Sequence, residues 1–144
     1  MNGGLGVPPA SGGERSDPAT GGVTDADRIA AAQAYIDSLA THEADDVPFA
    51  PECTRIEVGL KTGFSANHLR RSLTRGPQYR IIATTSTPQF TVDGDEIRAR
   101  FDVITKPSLG GMRVCAHVDE TFLIPVEDGR IHHIRAHIRP FIQR

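Results

Sequence analysis

The sequence predicts an α+β fold. Apolar residues recur at helical spacing early in the chain, the period changes to two after Gly76-Pro77, and two Asp-Gly pairs punctuate the second half. Helices therefore come first and an antiparallel meander follows, with the helices covering one face of the sheet.

Residues 1–22 are dense in Gly, Pro, Ser and Ala. They cannot bury enough apolar surface to offset their ordering entropy, so a disordered tail is expected there and one domain over 23–144. Thr24-Asp25-Ala26-Asp27 is a helix start, with a capping hydroxyl and acids in the first turn. Ile29, Ala32, Ile36 and Leu39 form the apolar stripe, Tyr35 lies beside it, and the helix is expected to end near Ala40 or Thr41. A second short helical piece is expected over 42–47, before Pro48 and Pro51. Thr54 to Val58 reads as a short strand and Ser65 to Leu73 as a helix ending before Gly76-Pro77. Tyr79 to Ser86 reads as a strand. Phe90 to Val92 and Glu96 to Thr105 flank the Asp93-Gly94 turn, with Ile97, Ala99, Phe101 and Val103 on one face. Pro107 to Gly111 is a loop, Arg113 to Pro125 a long strand, Asp128-Gly129 a turn, and Arg130 to Arg139 the last strand.

The 144 residues suffice for one domain with a core. A net charge of −2 gives no reason to expect nucleic acid or an anionic membrane as partner, and no apolar run is long enough to span a bilayer. A soluble, cytoplasmic protein is expected. Cys53 and Cys115 form no metal or redox spacing and read as buried, reduced thiols. His133 and His137 share a strand face with Arg135 and Arg139, whose charges repel a cation, so no metal site is expected.

Four stretches carry a resemblance. Gln33-Ala34-Tyr35-Ile36-Asp37-Ser38-Leu39 is similar to the first helix of bacterial ketosteroid isomerases, and Ala50 to Glu57 to their next strand. Ala116-His117-Val118-Asp119 and Asp128-Gly129-Arg130-Ile131 resemble their later strand and last hairpin. The similarity spans roughly Thr24 to Phe141. The chain thus resembles the superfamily of ketosteroid isomerases and nuclear transport factor 2, which also includes SnoaL-type polyketide cyclases, limonene-epoxide hydrolase and scytalone dehydratase. The resemblance implies a cone-shaped NTF2-like fold with the N-terminal helices packed on a curved antiparallel sheet, around a pocket for an apolar small molecule.

The resemblance further implies Tyr35 as an oxyanion donor, Glu57 as the base in place of the isomerases' aspartate, and Asp119 as a second donor that must stay protonated. Desolvation in an apolar cavity can keep a carboxyl neutral, the arrangement for which ketosteroid isomerase is the worked example. Strand parity puts His117 beside Asp119, as a further donor or base, and turns Glu120 to the other face. Phe101, Ile134, Ala136 and Ile138 are the expected ligand-binding wall. The implied activity is cofactor-free proton transfer on an apolar carbonyl compound, with cyclase, epoxide-opening or dehydratase chemistry and a non-catalytic binding module as alternatives. A homodimer through the sheet is expected. Equally, Tyr35 suits packing at the edge of its stripe, Glu57 a solvated strand, and Asp119 with His117 an outer polar face.

Overall fold

The computed structural model describes residues 22–106 and 109–143; apart from Gly22, the expected N-terminal tail lies outside them. Helix α1 spans Asp25–Thr41 and helix α2 Ala66–Arg75, and a single turn, α3, spans Pro77–Arg80. The strands are β1 (Phe49–Glu57), β2 (Leu60–Gly63), β3 (Ile82–Thr85), β4 (Gln89–Asp93), β5 (Glu96–Thr105), β6 (Arg113–Leu123) and β7 (Ile131–Gln143). They form one sheet in the order β2-β1-β7-β6-β5-β3, with β4 also paired to β5.

The helix starts follow their caps. Thr24 Oγ1 accepts from the Asp27 amide while the Asp27 carboxylate accepts from the Thr24 amide, both at 3.0 Å, a reciprocal capping box. Ser65 caps α2 through the His68 amide. Helix α1 buries Ala31, Ala32, Tyr35, Ile36 and Leu39 against the sheet. It also buries Arg28, whose guanidinium donates to the Ile124 and Gly94 carbonyls at 2.7 and 2.6 Å. Those bonds pin the start of α1 to two loops at one end of the sheet.

The sheet is mixed, not purely antiparallel: β1 runs parallel to β7. After α1 the chain crosses back and enters the sheet in the same sense as the last strand. A local pattern carries no information on that sense, because both pairings present the same alternation. Three further elements differ from expectation. The 42–47 segment is a turn, because His42 takes a left-handed conformation (φ 61°) and stops the helix. Strand β1 begins at Phe49 and includes Pro51, tolerated where its register against β7 shifts between Phe49 and Thr54. Tyr79 lies on the α3 turn, where Pro77 at the first helical position starts a helix that the strand reading missed.

One face of β5, β6 and β7 packs on the helices through Ile97, Ala99, Phe101, Val118, Phe122 and Ile134. The other face carries charged and histidine side chains. The register irregularities within β1 and β3 mark where strands bend, and the sheet curls around α1 and α3 into a cone. The wide end of the cone stays open.

Candidate functional site

A cavity of about 360 Å³ opens at this end. Its walls are mostly apolar: Leu39 of α1, Ile82 and Val103 at the β3–β5 edge, and Val118, Ala136 and Ile138 on the sheet. Its polar groups are few, namely Tyr35, Glu57, Tyr79 and Glu120, with Thr62, Thr105 and Gln78 at the margins.

The sheet register explains how two carboxyls reach this pocket. Ala136 pairs with Glu57 on one side and with Glu120 on the other, and Glu120 pairs in turn with Ala99. The row Glu57–Ala136–Glu120–Ala99 therefore crosses four strands on one face. Alanine at both flanks of Glu120 leaves room for a long side chain to stand up from the sheet. The Cα atoms of Glu57 and Glu120 are two strand spacings apart, about 9–10 Å. One row deeper lie Arg55, Ile134, Phe122 and Ile97.

Arg55 is fully buried and tied on every side. Its Nε donates to Thr62 Oγ1 at 3.0 Å, its Nη2 to the Thr62 carbonyl at 3.0 Å and Ser72 Oγ at 3.2 Å, and its Nη1 to Tyr35 Oη at 3.3 Å. The Glu57 carboxylate lies 3.7 Å from Nε, and the Tyr79 ring packs on the guanidinium at 4.8 Å. Gly63 makes this nest possible, because a Cβ there would sit 2.4 Å from Leu69 and 2.9 Å from Arg55 Cβ. Burial opposes the Arg55 charge, but Tyr35, Tyr79 and Glu57 outweigh it and keep the guanidinium protonated.

Tyr79 Oη lies 2.8 and 2.7 Å from the two Glu57 oxygens and donates to that carboxylate. Burial holds both tyrosines protonated, far above the usual phenol range, against the opposing pull of Arg55. Tyr35 packs edge-on against Phe122 and Phe49. Its hydroxyl accepts from Arg55 and keeps its own proton for another acceptor. Glu120 is the opposite case. It is 2% exposed, and its Oε1 has no hydrogen-bond partner. Burial first, and the Glu57 charge second, push its pKa up to about 8, with Arg55 pulling the other way. Glu120 is thus a neutral acid at pH 7.

Of the residues singled out from sequence, the structure brings Tyr35 and Glu57 together in this cavity, with Ala136 and Ile138 in its wall. Phe101 and Ile134 belong to the packed core and do not line it. Asp119 and His117 lie on the opposite face of β6, and their expected place in the pocket is corrected. From His117 onward, Val118, Glu120 and Phe122 are the buried residues of that strand. Asp119 is paired with Arg98 at 2.9 and 2.5 Å. That hydrogen-bonded pairing lowers its pKa, so it is an ionised surface carboxylate and not a neutral donor. His117 bonds Asp102 at 2.7 Å and stacks on Phe141.

Arg55, Tyr79 and Glu120 were missed. Their signals were the Arg55-x-Glu57 spacing, which puts both side chains on one strand face, and the apolar Val118 and Phe122 flanking Glu120 at the same parity. Among the described residues no group of three or more histidines, cysteines or acids is arranged to hold a metal. His132 instead lies between Glu52 and Asp128, and His133 bonds Thr54. Cys53 and Cys115 are free and buried, and burial pushes the Cys53 thiol up to about 12.

Several solved structures share the fold. SalBIII, described as an epoxide hydrolase/cyclase-like enzyme in pyran ring formation in the polyether salinomycin, is similar at 15% identity and TM-score 0.64 over 80% of this chain and 92% of its own. An NTF2-like protein of unknown function from Cytophaga hutchinsonii matches at 8% identity and TM-score 0.64, over 81% of this chain and 100% of its own. TsrD from Streptomyces laurentii matches at 17% identity and TM-score 0.62, over 81% and 90%. At these identities the likeness establishes the NTF2-like fold and nothing finer. No curated protein matches the chain. Residues 22–138 match the family model described as a domain of unknown function, DUF8021, and the chain belongs to that family.

Proposed function

We propose that this protein is a cofactor-free acid–base enzyme for an apolar, oxygen-bearing small molecule, with Glu120 giving a proton to the substrate oxygen and Glu57 accepting one. The single observation behind this reading is the Glu57–Ala136–Glu120 row, with one carboxyl neutral by burial and the other held beside a buried arginine. A base and an acid in opposite protonation states on one apolar wall is what concerted proton transfer requires. Tyr35 supplies a second donor. The role that the resemblance gave to Asp119 falls to Glu120, one residue later.

On a carbonyl compound, this machinery moves a proton from the carbon next to the carbonyl while Glu120 and Tyr35 stabilise the enolate oxygen. A second reading is favoured by Tyr79. Its hydroxyl touches both Glu57 oxygens, and Arg55 adds a nearby charge. Such a carboxylate is held in place to take a proton from a hydroxyl or water as that oxygen bonds to an epoxide carbon, while Glu120 protonates the epoxide oxygen whose bond to that carbon breaks.

The test is turnover of an unsaturated ketone and of an apolar epoxide by wild type, Glu57→Gln, Glu120→Gln and Tyr35→Phe. Either glutamine variant should lower kcat about 100-fold or more. Wild-type activity should decline above pH of about 8 as Glu120 loses its proton. Activity indifferent to Glu120→Gln, or undiminished well above that pH, removes Glu120 from the mechanism. Saturable binding of both compounds with no turnover would favour a binding module.

A further inference from the structure

The mouth of the cavity combines two features that its interior does not explain. The first is a ring of exposed aliphatic side chains. Val58 and Leu60 on the β1–β2 turn and Ile81 after α3 line the opening, and each is more than half exposed. The inner face of the sheet continues outward past Ala116 and Ile138 to Val114 and Ile142. These two pair with each other across β6 and β7 and are also at least half exposed. Large exposed apolar side chains scattered singly need no explanation, but five gathered at one opening do.

The second is charge. The described segments that build this end of the cone are residues 58–63, 76–82, 104–106, 109–116 and 138–143. They contain no Asp or Glu; Lys61, Arg80 and Lys106 stand among them, while Arg113 and Arg139 fall by strand parity on the outer face with His117 and Asp119. From residue 58 to residue 92 the chain has no acid at all. The whole chain carries −2, so its acids are concentrated elsewhere. The basic side chains are interleaved with the aliphatic ones. Lys61 follows Leu60 and lies over the Phe64 ring at 5.0 Å, Arg80 precedes Ile81, and the Lys106 amide donates to the Ile81 carbonyl.

We infer that the open end of the cone docks on an anionic lipid bilayer, with the aliphatic rim entering the headgroup boundary and the basic side chains meeting the lipid phosphates. Aliphatic side chains ringed by Lys and Arg match the chemistry of such a surface, where apolar burial and charge attraction add. A neutral, dry partner surface would leave Lys61, Arg80 and Lys106 unmatched, and a wholly polar one would leave the aliphatic rim uncovered. Docked this way, the cavity opens toward the phase in which an apolar ligand is concentrated. The expectation of no membrane partner rested on the whole-chain charge, which averages over this segregation. The inference stands whether or not the cavity is catalytic.

The test is co-sedimentation with vesicles of mixed phosphatidylglycerol and phosphatidylcholine, and with phosphatidylcholine alone, at physiological ionic strength. Binding is expected on the anionic vesicles and about tenfold or more weaker on the neutral ones, falling further with added salt. Leu60→Asp, and separately Lys61→Glu with Arg80→Glu, should each weaken binding about tenfold or more. Arg130→Glu makes the same kind of charge change beside the Asp128-Gly129 turn at the far end, and should leave binding unchanged. Circular dichroism establishes that each variant is folded. Equal binding to both vesicle types, or equal loss with Arg130→Glu, overturns the inference. So does a wild-type dimer that Leu60→Asp converts to monomer without any vesicle binding, because a second copy then covers the mouth.

Discussion

Glu120 has a consequence for stability that is independent of any substrate. Its pKa is 4.5 as a free side chain and about 8 in the folded protein. Below pH of about 4.5 both states carry the proton and the ionisation of Glu120 contributes nothing to stability. As pH rises through the window between the two values, the unfolded chain ionises while the folded one must keep its proton. The folded state then binds more protons than the unfolded state, so stability falls as pH rises, by about 1.4 kcal/mol per pH unit. The loss is complete once pH passes the folded value. Glu120→Gln keeps the shape and removes the titration. The stability difference between variant and wild type should therefore shift in the variant's favour by about 4 kcal/mol between pH 5 and pH 8. At pH 5 the variant should be equal or somewhat weaker, since an amide in the same place leaves polar atoms unpaired. Urea unfolding of both proteins at the two pH values measures the double difference, in which titrating groups not coupled to Glu120 cancel. A difference that does not change with pH would refute the account, because a solvated or already ionised Glu120 has no such linkage.

Two other changes probe the scaffold around the site. Val58 and Gly59 form a two-residue turn between Glu57 and Leu60 with φ of 51° and 78°, a conformation that a β-branched residue adopts only under strain. Val58→Asn should relieve it and raise stability by about 1 kcal/mol, read as a higher unfolding midpoint; an unchanged or lower midpoint would mean that the valine is not strained there. Arg55→Met leaves Thr62, Ser72 and Tyr35 without their donor and removes the cation beside Glu57. It should cost about 3–5 kcal/mol by urea unfolding, and a loss below 1 kcal/mol would show that the buried nest is not a structural anchor.

The sequence by itself determined what local physics controls. Thr24 and Ser65 start helices because their hydroxyls satisfy free amides, whatever packs nearby. The turn begun by Asp93-Gly94 sets the β4–β5 register because its two-residue loop, Gly94-Asp95, tolerates few alternatives. The period change after Gly76-Pro77 marks where the helices give way to the β3–β7 meander, though α3 delays β3 by a turn because Pro77 suits a helix start better than a strand. Tertiary structure alone decided the matters of facing and sense. Alternation on β6 divides Asp119 from Glu120, but covering by helices on one side makes Glu120 the buried acid and leaves Asp119 to Arg98. Nothing within β1 states that it runs parallel to β7. That pairing sets Glu57 across Ala136 from Glu120 and brings Arg55 beneath Tyr79. A carboxyl's proton depends on how much water and which charges surround it, and those surroundings come from residues far apart in the chain. The site is therefore a property of the sheet, while its individual side chains were already in plain view along the sequence.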